Sequence, residues 1–80
     1  MLNERELVSA TVSRIEQYGA VLSCEGSNIL ILGPDASQSG DIPVNQLYHR
    51  GDEVQVRVGL YNEKENIYRG YPTHPPNDPI

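Results

Sequence analysis

"ATVSRIEQYGAVLSCEGSNILIL", Ala10 to Leu32, is the stretch on which the fold turns. Together with the residues just before it, it alternates: Val8, Ala10 and Val12 fall on one side of an extended chain, Ser9, Thr11 and Ser13 on the other. That period of two, rich in β-branched residues, marks a half-buried strand. Ile15 lies one step out of phase. A bulge near Ser13–Arg14 returns it to the apolar side and bends the strand sharply. "YGAVLSC" reads as a second strand. "EGSN" has turn chemistry, with a glycine free to take positive φ. "NILIL" is a third strand, and its unbroken apolar run predicts burial on more than one side.

Working outward, residues 1–6 form a polar lead-in. "GPDASQSGD", Gly33 to Asp41, offers nothing that packs and reads as a long loop. "IPVNQLY" is a brief strand or a single helical turn over a barrel end. "GDEVQVRVGLY" is the clearest strand, with Val54, Val56 and Val58 pointing one way and Gln55 and Arg57 the other. "NEKEN" is a polar hairpin turn, and "IYRGY" closes the set. From Pro72 to Ile80 the chain holds four of its six prolines. Proline removes ladder donors and fixes φ, so 72–80 is expected to be an extended, flexible, unpacked tail. The strands are expected near residues 7–15, 18–24, 28–33, 53–61 and 66–71, with Val12, Val54, Val56 and Ile67 buried. Five short strands without a long helix are best satisfied by an all-β, five-stranded antiparallel barrel over residues 7–71, because closure removes sheet edges.

Eighty residues make a single domain. Such a chain buries only about 60–65% of its unfolded surface, so its core is small. Cys24 is the only cysteine, which excludes an internal disulfide and points to a reducing, cytoplasmic setting. "MLNEREL" carries charge at once and predicts neither a signal peptide nor a membrane span. Eleven acidic residues against six basic ones leave a net charge of −5. That balance argues against strong sequence-independent binding to duplex DNA, whose affinity comes from phosphate neutralisation. Only a local basic patch, built from Arg14, Arg57 and Arg69, would offset it.

Val8, Ala10, Val12, Ile15, the triplet Tyr18-Gly19-Ala20, the run Gly51 to Val58 and the hairpin Asn62 to Ile67 resemble, in their order and spacing, the S1 domain. This oligonucleotide-binding (OB) barrel occurs in ribosomal protein S1, polynucleotide phosphorylase and ribonuclease E. The resemblance spans about residues 7–71. Its third strand corresponds to Asn28–Leu32 or to Gly40–Val44; the former gives a normal hairpin length and is preferred. The resemblance implies binding of single-stranded nucleic acid, with bases stacked on an aromatic of strand two, a second aromatic three residues on, and a histidine of strand three. Tyr18 fills the first position, Val21 the second, and Leu32 or Pro43 the third. Two rings are therefore missing, each worth ~1–3 kcal/mol of stacking.

Each candidate has an ordinary alternative. Tyr18 is a stacking platform or simply a strand residue with a polar tip. Arg57 meets phosphate or solvent. Strict alternation from Ile67 puts Arg69 on the core side unless the strand bulges or ends at the rim, and sends Tyr68 outward beside Arg57. Arg14, in the bent first connection, reaches the same face. His49 near Gly51 is either an RNA contact or a structural histidine. Asp35 and Asp41 read as solvated loop carboxylates. His49, His74 and Cys24 lack the local spacing of a metal site, and no cofactor is implied. No nucleophile–base pair or phosphate-cradling glycine loop occurs, so the chain is not expected to be an enzyme. The expected function is weak, low-specificity binding of single-stranded nucleic acid, RNA in particular, through Tyr18, Tyr68, Arg14, Arg57 and Arg69. The alternative is an acidic protein-interaction module on the same barrel, meeting a basic partner through the Gly33–Asp41 loop. Pro72-x-x-Pro75 and Pro76-x-x-Pro79 add a minor docking possibility.

Overall fold

Five strands and two helical turns follow one another in the computed structural model, which describes residues 2–37 and 40–73. They are β1 (Leu7–Glu16), β2 (Gly19–Cys24), β3 (Ser27–Leu32), α1 (Gly33–Ala36), α2 (Val44–Leu47), β4 (Glu53–Asn62) and β5 (Ile67–Pro72). The strands close into a barrel in the order β1-β2-β3-β5-β4. Four of the five pairings are antiparallel, and β3 pairs β5 in parallel. The all-β, five-stranded barrel expected from the sequence is therefore present, with one parallel seam. The seam is a matter of parity: directions cannot alternate all the way round a ring of five strands.

The first strand bends where the phase slip of Ile15 requires. The β1–β2 register shifts between Val12 and Arg14, so Ser13 is the extra residue. Its hydroxyl donates to the Val21 carbonyl at 3.0 Å, fixing the bulge to the next strand. Val12, Leu22, Ile29, Ile31, Val56 and Val58 are the largest fully buried side chains. The glycine of Tyr-Gly-Ala has a steric cause. A Cβ on Gly19 would lie 2.2 Å from the Ile31 carbonyl oxygen, so β2 and β3 approach this closely only with no side chain there.

In β5 the phase is opposite to the one expected. Tyr68, Gly70 and Pro72 are buried, while Ile67 and Arg69 are half-buried and Tyr71 is exposed. Gly70 sets this phase: a Cβ on it would fall 2.4 Å from Ile29 Cγ2 in the core. Ile67 is thus not the buried anchor, and Tyr68 does not face outward. Val54 is half-buried against the core rather than within it.

The supposed ends and loop also pack. Leu2 is buried, Arg5 donates its backbone N–H to Val58 O, and the Val58 N–H donates to Glu6 O, so the lead-in extends the β4 ladder. The loop after β3 begins with α1, opened by a proline, and buries Ala36 and Ser37. Tyr48 is buried beneath it and donates its hydroxyl to the Ala36 carbonyl at 3.3 Å. Of the brief strand and the helical turn left open for this segment, the structure has the helical turn: α2 buries Val44. Pro72 belongs to β5, opposite Val56, rather than to a tail, and the Thr73 N–H donates to Gln55 O. The rest of the expected flexible tail, residues 74–80, lies outside the described residues.

Candidate nucleic-acid interface

The register places one row of side chains across the outer face of the barrel. Arg14 on β1 pairs with Val21 on β2, Val21 with Leu30 on β3, and Leu30 with Arg69 on β5. With strands about 4.8 Å apart, the two arginines stand roughly 14 Å from each other across an aliphatic strip. Tyr18 sits in the turn before β2 at one end of this face. Its side chain is 53% exposed, and its carbonyl accepts from the Gly33 N–H at 2.9 Å, tying the turn to α1.

Arg14 and Tyr18 therefore occupy the β1–β2 hairpin end, and Arg69 the far edge of the row. Arg57, on β4, lies one strand beyond Arg69, opposite Tyr71 in the β4–β5 register. Tyr68 is not with them: it is 8% exposed and packs on Tyr61, centroids 4.7 Å apart. The sequence reading passed over Tyr71, which is 44% exposed. The Arg69 guanidinium lies over the Tyr71 ring, 5.2 Å from its centroid. The ring is seated over Gly59, where a Cβ would come within 2.9 Å of it. Gly70 was the available signal. A glycine inside a strand marks close approach, and turning it inward turns Arg69 and Tyr71 outward.

The charges on this face are largely spent. Arg69 Nη2 is 2.6 Å from Asp35 Oδ2, both side chains about one-third exposed, and Arg69 Nε is buried without a hydrogen-bond partner among the described residues. Asp35 is thus not a solvated loop carboxylate. Arg14 Nε is 2.8 Å from Glu16 Oε1. Arg57 Nη1 donates to the Arg5 carbonyl at 3.0 Å and, among the described residues, pairs with no carboxylate. His49 is exposed, with Nδ1 3.8 Å from Asp52 Oδ2, away from the row. Burial, with Glu25 and Glu6 adding to it, raises the Cys24 thiol above its ordinary pKa, so the thiol is a poor nucleophile. Among the described residues no three His, Cys, Asp or Glu side chains gather as a metal site, and no helix is long and apolar enough to cross a membrane.

Comparison with solved structures finds the same fold elsewhere. A chain of the a/eIF2alpha–aDim2p–rRNA complex from Pyrococcus horikoshii OT3 superposes with a TM-score of 0.77 at 22% identity over 89% of this chain and 44% of its own. GSP13 from Bacillus subtilis gives 0.77 at 21% identity, over 89% of this chain and 55% of its own. The chain folds as an S1-type OB barrel. MJ1198 from Methanocaldococcus jannaschii shares this architecture along nearly its whole length, with a TM-score of 0.71, 19% identity and coverage of 89% and 92%. The chain thus spans about half the length of the first two S1-type neighbours. No protein-family model and no curated protein matches it.

Proposed function

We propose that this S1-type barrel binds single-stranded nucleic acid, RNA by preference, weakly and with little sequence specificity. The observation that carries the reading is the row Arg14–Val21–Leu30–Arg69, with Tyr18 at its end. It lies on the strand-two and strand-three face that OB folds use for oligonucleotides. One of the structures this barrel superposes on, the Pyrococcus complex, contains rRNA. Tyr18 stacks a base, Arg14 meets a phosphate beside it, and Tyr71 with Arg57 continues the path beyond Arg69.

The weakness follows from the same residues. Arg14 and Arg69 are held by carboxylates, and the net charge of −5 repels a polyanion. Val21 and Leu32 stand where further rings would stack bases, each worth ~1–3 kcal/mol. Fluorescence anisotropy with a labelled single-stranded RNA at low salt tests the reading. Binding in the high-micromolar to millimolar range, reduced by Tyr18→Ala and by Arg14→Ala, supports it. Equal binding by wild type and both variants contradicts it.

A further inference from the structure

Protein docking finds support on a different part of the barrel from the Gly33–Asp41 loop. The β4–β5 register shifts between Val58 and Tyr61, and Leu60 stands in this irregularity, 71% exposed. With Leu30, Leu32 and Ile67 it lines an open groove of about 700 Å³ between β3, β5 and the β4–β5 turn. A second hollow of about 590 Å³ adjoins it, lined among others by Glu4 and Asn28. Tyr61 and Tyr68 line both, so the two form one continuous surface.

The charge around this surface selects its occupant. Glu63 and Glu65 line the groove and Glu4 the hollow, and all three are exposed, with carboxylates that make no hydrogen bond or ion pair among the described residues. Among the described residues Lys64 is the one unpaired cation lining it, because Arg69 is engaged by Asp35. An aliphatic floor with an anionic rim repels phosphate and attracts a cation bearing apolar neighbours. The exposed Tyr61 ring adds a face on which a guanidinium or ammonium can rest. We propose that the groove is a docking site for a short segment of a partner protein that alternates aliphatic side chains with lysine or arginine.

The probe is a synthetic hexapeptide of alternating lysine and leucine, titrated into the ¹⁵N-labelled protein. The amides of Leu60, Glu65 and Ile67 are expected to shift. Leu60→Asp should weaken the peptide by about tenfold or more, the equivalent of one buried leucine. Leu60 is exposed, so the variant keeps its fold, which its amide spectrum verifies. The substitution also adds negative charge, so weaker binding separates groove docking from general attraction to an acidic protein. The double variant Glu63→Gln with Glu65→Gln should weaken binding several-fold and flatten its salt dependence. The inference is overturned if a glutamate–leucine peptide moves the same amides equally, or if Leu60→Asp leaves affinity unchanged. It is also overturned if a single-stranded RNA, and not the lysine–leucine peptide, moves the Leu60 amide. The groove shares Leu30, Leu32 and Arg69 with the face of the arginine row, so the two readings are separated at residues outside the overlap: Tyr18→Ala and Arg14→Ala test the nucleic-acid reading, and Leu60→Asp tests the groove.

Discussion

Replacing Asp35 by asparagine should strengthen RNA binding. In the folded chain the Asp35 carboxylate occupies the anion position of Arg69 at 2.6 Å, at the edge of the arginine row. A phosphate reaching Arg69 must first displace it. Exposed ion pairs are worth roughly 0.2–1 kcal/mol, and this one, about one-third exposed, belongs near the upper end. Removing the competing charge while keeping an acceptor for Nη2 should therefore raise affinity about fivefold. One further arginine then neutralises phosphate, so the slope of log affinity against log salt should steepen by about 0.7. Anisotropy titrations with one single-stranded RNA at several potassium chloride concentrations measure both quantities. Arg69→Ala provides the cross-check: little effect alone, and loss of the gain when combined with Asp35→Asn. Unchanged affinity and slope in Asp35→Asn, with Arg14→Ala still harmful, would show that Arg69 does not meet the ligand.

Other consequences concern the barrel itself. Gly70→Ala puts a methyl 2.4 Å from Ile29 Cγ2 and should cost about 1–3 kcal/mol, read as a lower melting midpoint by circular dichroism. Gly19→Ala meets backbone rather than a side chain, at 2.2 Å, and should be the more damaging of the two. A chain ending at Tyr71 should melt below one ending at Thr73, because it lacks the buried Pro72 and the Thr73 bond to Gln55. Burial raises the Tyr48 phenol above its ordinary value of 10.0, so the neutral form is favoured in the fold. Its contribution is complete below that value and lost as pH rises through the raised one, so denaturant midpoints should fall as pH rises above 10.0. Tyr48→Phe should flatten that fall at some cost in stability, since its hydroxyl bonds the Ala36 carbonyl.

The strand pattern was legible wherever a long alternation carried it. β1 and β4 each display several residues of one period, and even the Ser13 bulge follows from the single misplaced Ile15. β5 was not legible in the same way. Its one β-branched residue, Ile67, suggested the wrong face, and the deciding contact is between Gly70 and Ile29, 41 positions apart in sequence. That error exchanged Tyr68 for Tyr71 in the candidate site. Arg14 and Tyr18 could be placed because they belong to the hairpin whose register the bulge sets. The pairing of Arg69 with Asp35 could not, because it joins β5 to α1 across the parallel seam. The packing of Leu2 and Pro72 escaped for a related reason: a single apolar or proline residue at a segment's end carries no period.

Amide shift mapping of the ¹⁵N-labelled protein with a short single-stranded RNA at low salt locates the surface that meets the nucleic acid. The arginine row and its flanking tyrosine predict that the amides of Tyr18, Val21 and Leu30 move together and that the shifts diminish as salt is added. Tyr18→Ala should weaken the binding by ~1–3 kcal/mol. No movement of these amides at millimolar RNA, or movement confined to the groove at Leu60, would show that the arginine row does not bind RNA.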